Sequence, residues 1–218
     1  MRSWSASLVR LGSAIAIVIV IAIGAASSVQ AQRAPTLDEL LAQFRGVHGM
    51  ELRFREEKRI ALLRMPAISE GTVHYARPGR LVRRITRPNA QIVLIDGDEL
   101  RMREGGRTER IDLAAQPVVR SFVDTFSQLL GGDRAALERA YRVQYTPGEG
   151  ARWTLVLTPS SAPLDRFLRE IRFEGEATTL RTMLMTETSG DTTTTTFSNV
   201  DTTRRYTPAE SARLFTLD

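Results

Sequence analysis

The sequence predicts an α+β fold that is mainly β, in which a strongly curved antiparallel sheet forms an incomplete barrel. About nine to eleven segments show strand patterning, and hairpin turns join most of them. Helical patterning appears at the start of the domain and again in the middle of the chain. Because these helices interrupt an otherwise alternating pattern, we expect them to cover the sheet rather than belong to it.

The first 31 residues have the composition of a cleaved secretory signal peptide. Arg2 and Arg10 form a positively charged n-region before an apolar run over residues 11–26. Small residues then lead to an expected cleavage site after Ala31. The alternative is an uncleaved anchor, but the Ile- and Val-rich part is shorter than the roughly 20 residues that a spanning helix needs. We therefore expect residues 32–218 to form one exported domain with a sizeable core.

The composition also argues against several functional classes. Without Arg2 and Arg10, the chain has 28 Lys and Arg residues and 25 Asp and Glu residues, and the two signs of charge are interspersed along it. This balance gives no indication of nucleic acid binding. The absence of Cys excludes a disulfide framework, a zinc–thiolate site and cysteine catalysis.

The mature chain opens with a predicted helix. Thr36 and Glu39 have the spacing of a capping box, and Gly46 provides a stop signal. One apolar stripe runs along this helix and consists of Leu37, Leu40, Leu41 and Phe44.

Strand patterning follows as far as residue 113. Phe54 and Tyr75 are apolar members of alternating segments. An Arg77-Pro78-Gly79 corner joins two strands, because proline interrupts ladder pairing and glycine permits a sharp turn. Asp96-Gly97 is the dipeptide of a two-residue hairpin turn, which is favoured over a calcium-binding loop.

Two helices are predicted in the middle of the chain, the first beginning at Pro117 and ending at Gly131-Gly132. The first carries apolar residues at three- and four-residue steps: Val118, Val119, Phe122, Phe126, Leu129 and Leu130. A shorter second helix starts at Asp133. Strands resume around Trp153, and the tail after Tyr206 is expected to add a short helix and one last strand.

The sequence offers no constellation of catalytic residues. It contains no GxSxG, HExxH, Walker or GxGxxG motif. His48 follows a helix-ending glycine, and His74 is expected to face the polar side of its strand, so a structural role is predicted for both. We therefore expect a protein that is not an enzyme and that uses no cofactor and no metal.

Several segments occur in an order that is informative as a set. They are the first helix, Gly71–Leu81 with its Arg-Pro pair, the hairpin Ile92–Leu100, the strand Trp153–Pro159 and the last hairpins over Leu164–Thr196. Together they resemble the outer-membrane lipoprotein carrier family, LolA, over nearly the whole mature chain. The resemblance implies an unclosed β-barrel of about eleven strands, a helical lid, and a hydrophobic cavity for acyl chains between them.

The resemblance also implies a function and a set of partners. It implies a monomeric periplasmic carrier that moves lipoprotein acyl chains from an inner-membrane donor, an ABC-type releasing complex or exporter, to an outer-membrane acceptor. Because four arginines follow the Arg-Pro corner, a carrier of another envelope lipid or glycolipid stays open; they are Arg80, Arg83, Arg84 and Arg87. A soluble scaffold or chaperone that binds proteins through exposed sheet edges is a further alternative.

The expected lipid-binding and lid-gating site is a collective lining. It comprises Leu37, Leu40, Leu41, Phe44, Phe54, Tyr75, Arg77, Pro78, Leu81, Phe122, Phe126 and Trp153. Each apolar member taken alone is an ordinary core residue, so only the set predicts a lipid site. For Arg77 we hypothesise hydrogen bonds to carbonyls at the end of a lid helix, where the helix dipole favours a cation. Closure of the lid then competes with retention of lipid.

Overall fold

The computed structural model describes residues 33–177 and 179–217, so the predicted signal peptide and its cleavage site lie outside the described residues. Within this part of the chain, eleven strands form one sheet and four α-helices accompany it. The strands are β1 (Gly49–Arg59), β2 (Ala67–Ala76), β3 (Arg80–Arg87), β4 (Gln91–Asp96), β5 (Glu99–Glu104), β6 (Arg107–Asp112), β7 (Tyr141–Pro147), β8 (Arg152–Pro159), β9 (Leu168–Glu176), β10 (Thr179–Glu187) and β11 (Thr192–Asp201). The helices are α1 (Leu37–Arg45), α2 (Pro117–Gly131), α3 (Arg134–Ala140) and α4 (Pro208–Leu214), and short 3-10 helices span Leu113–Ala115 and Leu164–Arg166.

The sheet is antiparallel throughout and is not closed into a barrel. Its strand order is β6-β5-β4-β3-β2-β1-β11-β10-β9-β8-β7, so β6 and β7 are the two edges. The β1–β11 pair joins the first and last strands of the chain, while every other pair joins strands that follow one another in sequence. The predicted fold class is therefore confirmed.

The strand register assigns the side chains to two faces, because residues directly opposite each other point to the same side of a sheet. One row on what we call the inner face contains Leu155, Phe173, Met183, Thr195, Glu56 and Ser69. Another row on the same face contains Met50, Tyr75, Leu81, Ile95, Leu100 and Ile111. The opposite side of the sheet is the outer face.

Two hydrophobic cores lie on opposite faces. The larger one, the inner core, packs side chains of α1, α2 and α3 against β7–β10, and its fully buried members include Leu40, Leu137 and Phe173. The smaller one lies on the outer face, where Phe215 of the tail packs with Val82 and Leu94.

Two sequence-based expectations are wrong, and both concern the tail. The tail forms α4, and no strand follows it up to residue 217. His74 does not face solvent: it is only 7% exposed, and its Nδ1 lies 3.2 Å from Tyr206 Oη. Because the tail packs on the outer face of β2 and β3, it covers a strand side that the alternation of polar residues had marked as solvent-facing.

The helical cover and the inner face of the sheet

We call α1, α2 and α3 the helical cover, because they pack together on β7–β10. The capping box predicted for α1 is present and fixes the start of this cover. Glu39 N donates to Thr36 Oγ1 at 3.3 Å, and Thr36 N donates to Glu39 Oε2 at 2.8 Å. Arg33 Nη1 adds a 2.9 Å hydrogen bond to the same carboxylate. The hydrogen bond from the Arg33 side chain, followed by that from the Thr36 backbone, lowers the pKa of Glu39 to about 2.

The C-terminal ends of α1 and α2 meet at Arg77, which follows β2. Arg77 Nε donates to Val47 O at 2.7 Å, and Nη2 contacts Leu130 O at 3.3 Å as well as Arg45 O. Arg45 is the last residue of α1, and Leu130 lies in the last turn of α2. One guanidinium therefore joins two helix C-termini, where the helix dipoles favour a positive charge. The gating role of Arg77 stays a prediction, and Pro78 beside it is exposed at the β2–β3 turn.

The structure brings seven of the predicted lining residues together in the inner core. Leu40, Leu41, Phe44 and Trp153 are buried in it, while Leu37, Phe122 and Phe126 pack against it. Edge-to-face contacts join Phe44 to Trp153 and Phe126 to Phe173, each with ring centroids 6.4 Å apart. Over β7–β10, side chains therefore fill the space beneath the helices.

Phe54, Tyr75 and Leu81 lie apart from that core, on the inner face of β1–β3. Phe54 and Tyr75 are buried, whereas Leu81 is half-buried. Leu81 belongs to a half-buried apolar area that we call the β2–β6 surface: Val73, Leu81, Val93, Ile95, Leu100, Met102 and Ile111. In α2, Val119, Val123 and Leu130 form a second apolar stripe that is also half-buried and stands outside the inner core.

A charged pair on the inner face was missed by sequence reasoning. Arg83 Nη2 lies 3.0 Å from Glu56 Oε1, and only 26% and 25% of the two side chains is exposed. The guanidinium lies 4.4 Å from the ring centroid of Phe54, and Ser69 and Thr195 donate to the Glu56 carboxylate at 3.4 Å each. Part of the signal lies in the sequence, because Arg83 has the same strand parity as Leu81 and Ile85, but this parity does not identify Glu56 as its partner.

Two cavities are present that no residue of the β2–β6 surface lines. One of about 670 Å³ is lined by the β3–β4 and β5–β6 turns, including Asn89 and Gly105. The other, about 120 Å³, lies between α2 and the segment Ser161–Leu164. Residues 33–177 and 179–217 contain no cluster of three or more His, Asp or Glu side chains placed to hold a metal ion. No helix in these ranges combines the length and the apolar character needed to cross a membrane.

Comparisons with known proteins identify the family. The model of the family described as outer membrane lipoprotein carrier protein LolA-like matches residues 26–214. Among solved structures, the chain is similar to a LolA superfamily protein from Nitrosomonas europaea (14% identity, TM-score 0.44, 84% of this chain and 99% of that one). It is also similar to a DUF1329 family protein from Desulfovibrio piger (10%, TM-score 0.46, 82% and 97%) and to a putative outer membrane lipoprotein-sorting protein domain from Vibrio parahaemolyticus (8%, TM-score 0.41, 79% and 95%). No curated protein matches the chain. Because the family model spans most of its length, the chain belongs to the LolA-like family of outer membrane lipoprotein carrier proteins.

Proposed function

We propose that this protein is a periplasmic carrier that holds lipoprotein acyl chains and moves them from the inner membrane to the outer membrane. The observation that carries the proposal is the β2–β6 surface, an apolar part of the inner face whose side chains are half-buried and stand outside the packed inner core. Hydrocarbon that contacts this surface removes both itself and the protein side chains from water.

The cargo requires such shielding for an energetic reason. Exposing acyl chains to water costs about 0.8 kcal/mol per CH₂, so two chains of about 16 carbons face roughly 25 kcal/mol. The β2–β6 surface and the α2 stripe of Val119, Val123 and Leu130 together offer apolar contacts from two elements. In this proposal the protein acts by binding alone, without catalysis, cofactor or metal.

Release of the cargo depends on the helical cover. The inner core is filled where α1–α3 pack on β7–β10, so a lipid that enters must displace part of that packing or move α2. The Arg77 hydrogen bonds favour the packed arrangement. Competition between cover and cargo keeps binding weak enough for transfer to an outer-membrane acceptor after loading by an inner-membrane donor.

A specific observation favours the second candidate, a carrier of another envelope lipid or glycolipid. The Arg83–Glu56 pair lies on the inner face, and an acyl chain has no polar group that could bind to it. Arg83 Nη2 is buried, and its contact with Glu56 lacks hydrogen-bond geometry, so this nitrogen retains the capacity to donate. A headgroup phosphate or a sugar hydroxyl supplies the missing acceptor.

Native mass spectrometry of the mature chain, purified from its own envelope, tests both candidates. We expect a bound species with acyl chains, which is either a lipoprotein or another lipid. Met102→Gln on the β2–β6 surface is expected to lower the bound fraction. Arg101→Gln is the matched control, because this neighbouring residue points to the outer face. Absence of any bound lipid, together with no transfer between vesicles, would contradict the proposal.

A further inference from the structure

Five large apolar side chains are exposed at one end of the sheet. Three lie in the β1–β2 hairpin tip, where Leu62 is 94% exposed, Met65 80% and Leu63 58%. Ile68 at the start of β2 and Phe167 before β9 are 42% and 54% exposed. No other large apolar side chain in the described ranges is this exposed. We call these five residues the apolar tip.

Hydrogen bonds hold the members of the apolar tip at the same end of the sheet. Ala61 N donates to Asp191 Oδ1 at 3.0 Å, which fixes the hairpin against the β10–β11 turn. From that turn, Thr188 N donates to Phe167 O at 3.0 Å. The hairpin and Phe167 are therefore linked through one turn, and their exposure belongs to a built structure rather than to a loose loop.

The shape of the apolar tip favours a fluid partner over a folded one. The β1–β11 ladder ends at Arg59, so residues 60–66 extend beyond the paired part of the sheet. This segment of seven residues, with Leu62 94% exposed, is small compared with the roughly 800 Å² that each partner buries in a typical stable protein interface. Leucine, methionine and phenylalanine side chains on such a projection suit the boundary between lipid headgroups and acyl chains.

The charges around the apolar tip favour an anionic bilayer. Arg64 lies between Leu63 and Met65, is exposed, and has no acidic partner within residues 33–177 and 179–217. At the base of the hairpin, Lys58 and Arg59 are paired with Glu187 and Glu57. Arg64 thus gives the tip a positive charge at the level where its apolar neighbours enter the membrane, and it can reach lipid phosphates from there.

We infer that the apolar tip inserts into the interface of a bilayer that contains anionic phospholipid and docks the protein there. The inference concerns a different part of the molecule from the proposed cargo site. Arg77 follows the last residue of β2, whereas Leu62, Leu63 and Met65 of the tip precede its first, and the ten residues of β2 separate them by about 30 Å. Docking at the tip therefore leaves the Arg77 contacts free to open and close.

A tryptophan reporter tests insertion directly. Residues 32–218 contain one tryptophan, Trp153, which is 2% exposed and supplies a constant buried background. With Leu62→Trp, vesicles of phosphatidylglycerol and brominated phosphatidylcholine are expected to quench the added emission by at least about half. Glu149→Trp in the β7–β8 turn, at the other end of the sheet, is the matched control and is expected to stay unquenched.

Co-sedimentation with the same vesicles measures the affinity. The triple variant Leu62→Asn, Leu63→Asn, Met65→Gln is expected to bind at least about tenfold more weakly, because several buried methylene groups are lost. Arg64→Gln is expected to weaken binding to anionic vesicles and to leave binding to neutral vesicles unchanged. All of these positions are exposed, so thermal unfolding of the variants should match the wild type.

The outcomes separate this inference from the proposed function. Quenching in Leu62→Trp with weaker binding of the triple variant supports membrane docking, whether or not the inner face holds lipid. Equal quenching at both reporter positions, or unchanged binding of the triple variant, overturns it. Concentration-dependent self-association that the triple variant abolishes, without vesicle binding by the wild type, also overturns it and assigns the tip to a second copy of the chain. Loading of a fluorescent fatty acid, measured in parallel, reports on the cargo site alone.

Discussion

Replacing Arg77 by leucine tests whether its guanidinium holds the helical cover closed. The substitution removes the 2.7 Å hydrogen bond to Val47 O, the 3.3 Å contact with Leu130 O and the bond to Arg45 O. Hydrogen bonds from charged donors contribute about 1.5–3 kcal/mol each. Because Arg77 is only half-buried and the Leu130 contact is long, we take the lower value for two of the bonds. The closed cover is then destabilised by about 3 kcal/mol.

This loss has a measurable consequence for cargo. A change of about 3 kcal/mol shifts the ratio of closed to open cover roughly 100-fold toward open. If closure competes with lipid, Arg77→Leu retains a fluorescent fatty acid longer, and we expect dissociation to slow by about 10- to 100-fold. Stopped-flow transfer to acceptor vesicles measures the rate, and hydrogen exchange of the α1 amides reports opening of the cover.

Two further variants make the result interpretable. Arg77→Lys keeps the charge but loses the planar fork, so an intermediate release rate is expected. Arg152→Leu removes an arginine whose ion pair with Glu149 is exposed, and it should release lipid like the wild type. The reasoning is refuted if Arg77→Leu releases its ligand at the wild-type rate while α1 exchanges no faster than before.

Three predictions concern stability. Phe173→Ala, at a 1% exposed position that packs against Phe126, should lower the free energy of unfolding by about 3–5 kcal/mol in denaturant titrations. The pKa of Glu39 is lowered from 4.5 to about 2, so its contribution to the free energy of unfolding is complete above pH 4.5 and is lost as the pH falls toward 2. Glu39→Gln should therefore reduce the fall of Tm with decreasing pH in this range. Burial raises the pKa of Tyr206 from 10 to about 12, so its contribution to the free energy of unfolding is complete below pH 10 and is lost as the pH rises toward 12. Tyr206→Phe should remove this alkaline loss, although it also deletes the 2.8 Å hydrogen bond to Met50 O.

The features that sequence reasoning predicted are set by residues close together in the chain. The capping box of Thr36 and Glu39 needs one helical turn, and the Asp96-Gly97 hairpin needs two residues with suitable backbone preferences. The strand alternation around Tyr75 needs only its neighbours. These local signals, taken in order, were enough for the fold class and for the family.

The features that sequence reasoning missed depend on contacts between distant segments. His74 is buried because Tyr206 and Phe215 of the tail lie on the outer face. The residues next to His74 in the sequence do not predict this contact with the tail. The Arg83–Glu56 pair requires the register of three strands, which periodicity within one strand does not supply. Alternation places a side chain on one side of a strand, but only tertiary packing decides whether that side is wet or dry.

The division of the inner face into a packed part and a half-buried part fits the proposed carrier function. If α1–α3 filled the whole face as they fill β7–β10, hydrocarbon would have to replace a complete core. If they filled none of it, the chain would lose the inner core that stabilises the fold.

Helix α2 connects the two parts, because Phe122 and Phe126 pack against the inner core while Val119, Val123 and Leu130 form the stripe outside it. In the proposed carrier, lipid that contacts both the β2–β6 surface and the α2 stripe shifts α2, and the hydrogen bond from Arg77 to Leu130 O couples that shift to Arg77. On this argument, Val123→Ala should weaken lipid retention without lowering the free energy of unfolding as much as Phe126→Ala, and equal effects of both variants on both quantities would show that α2 does not separate the two roles.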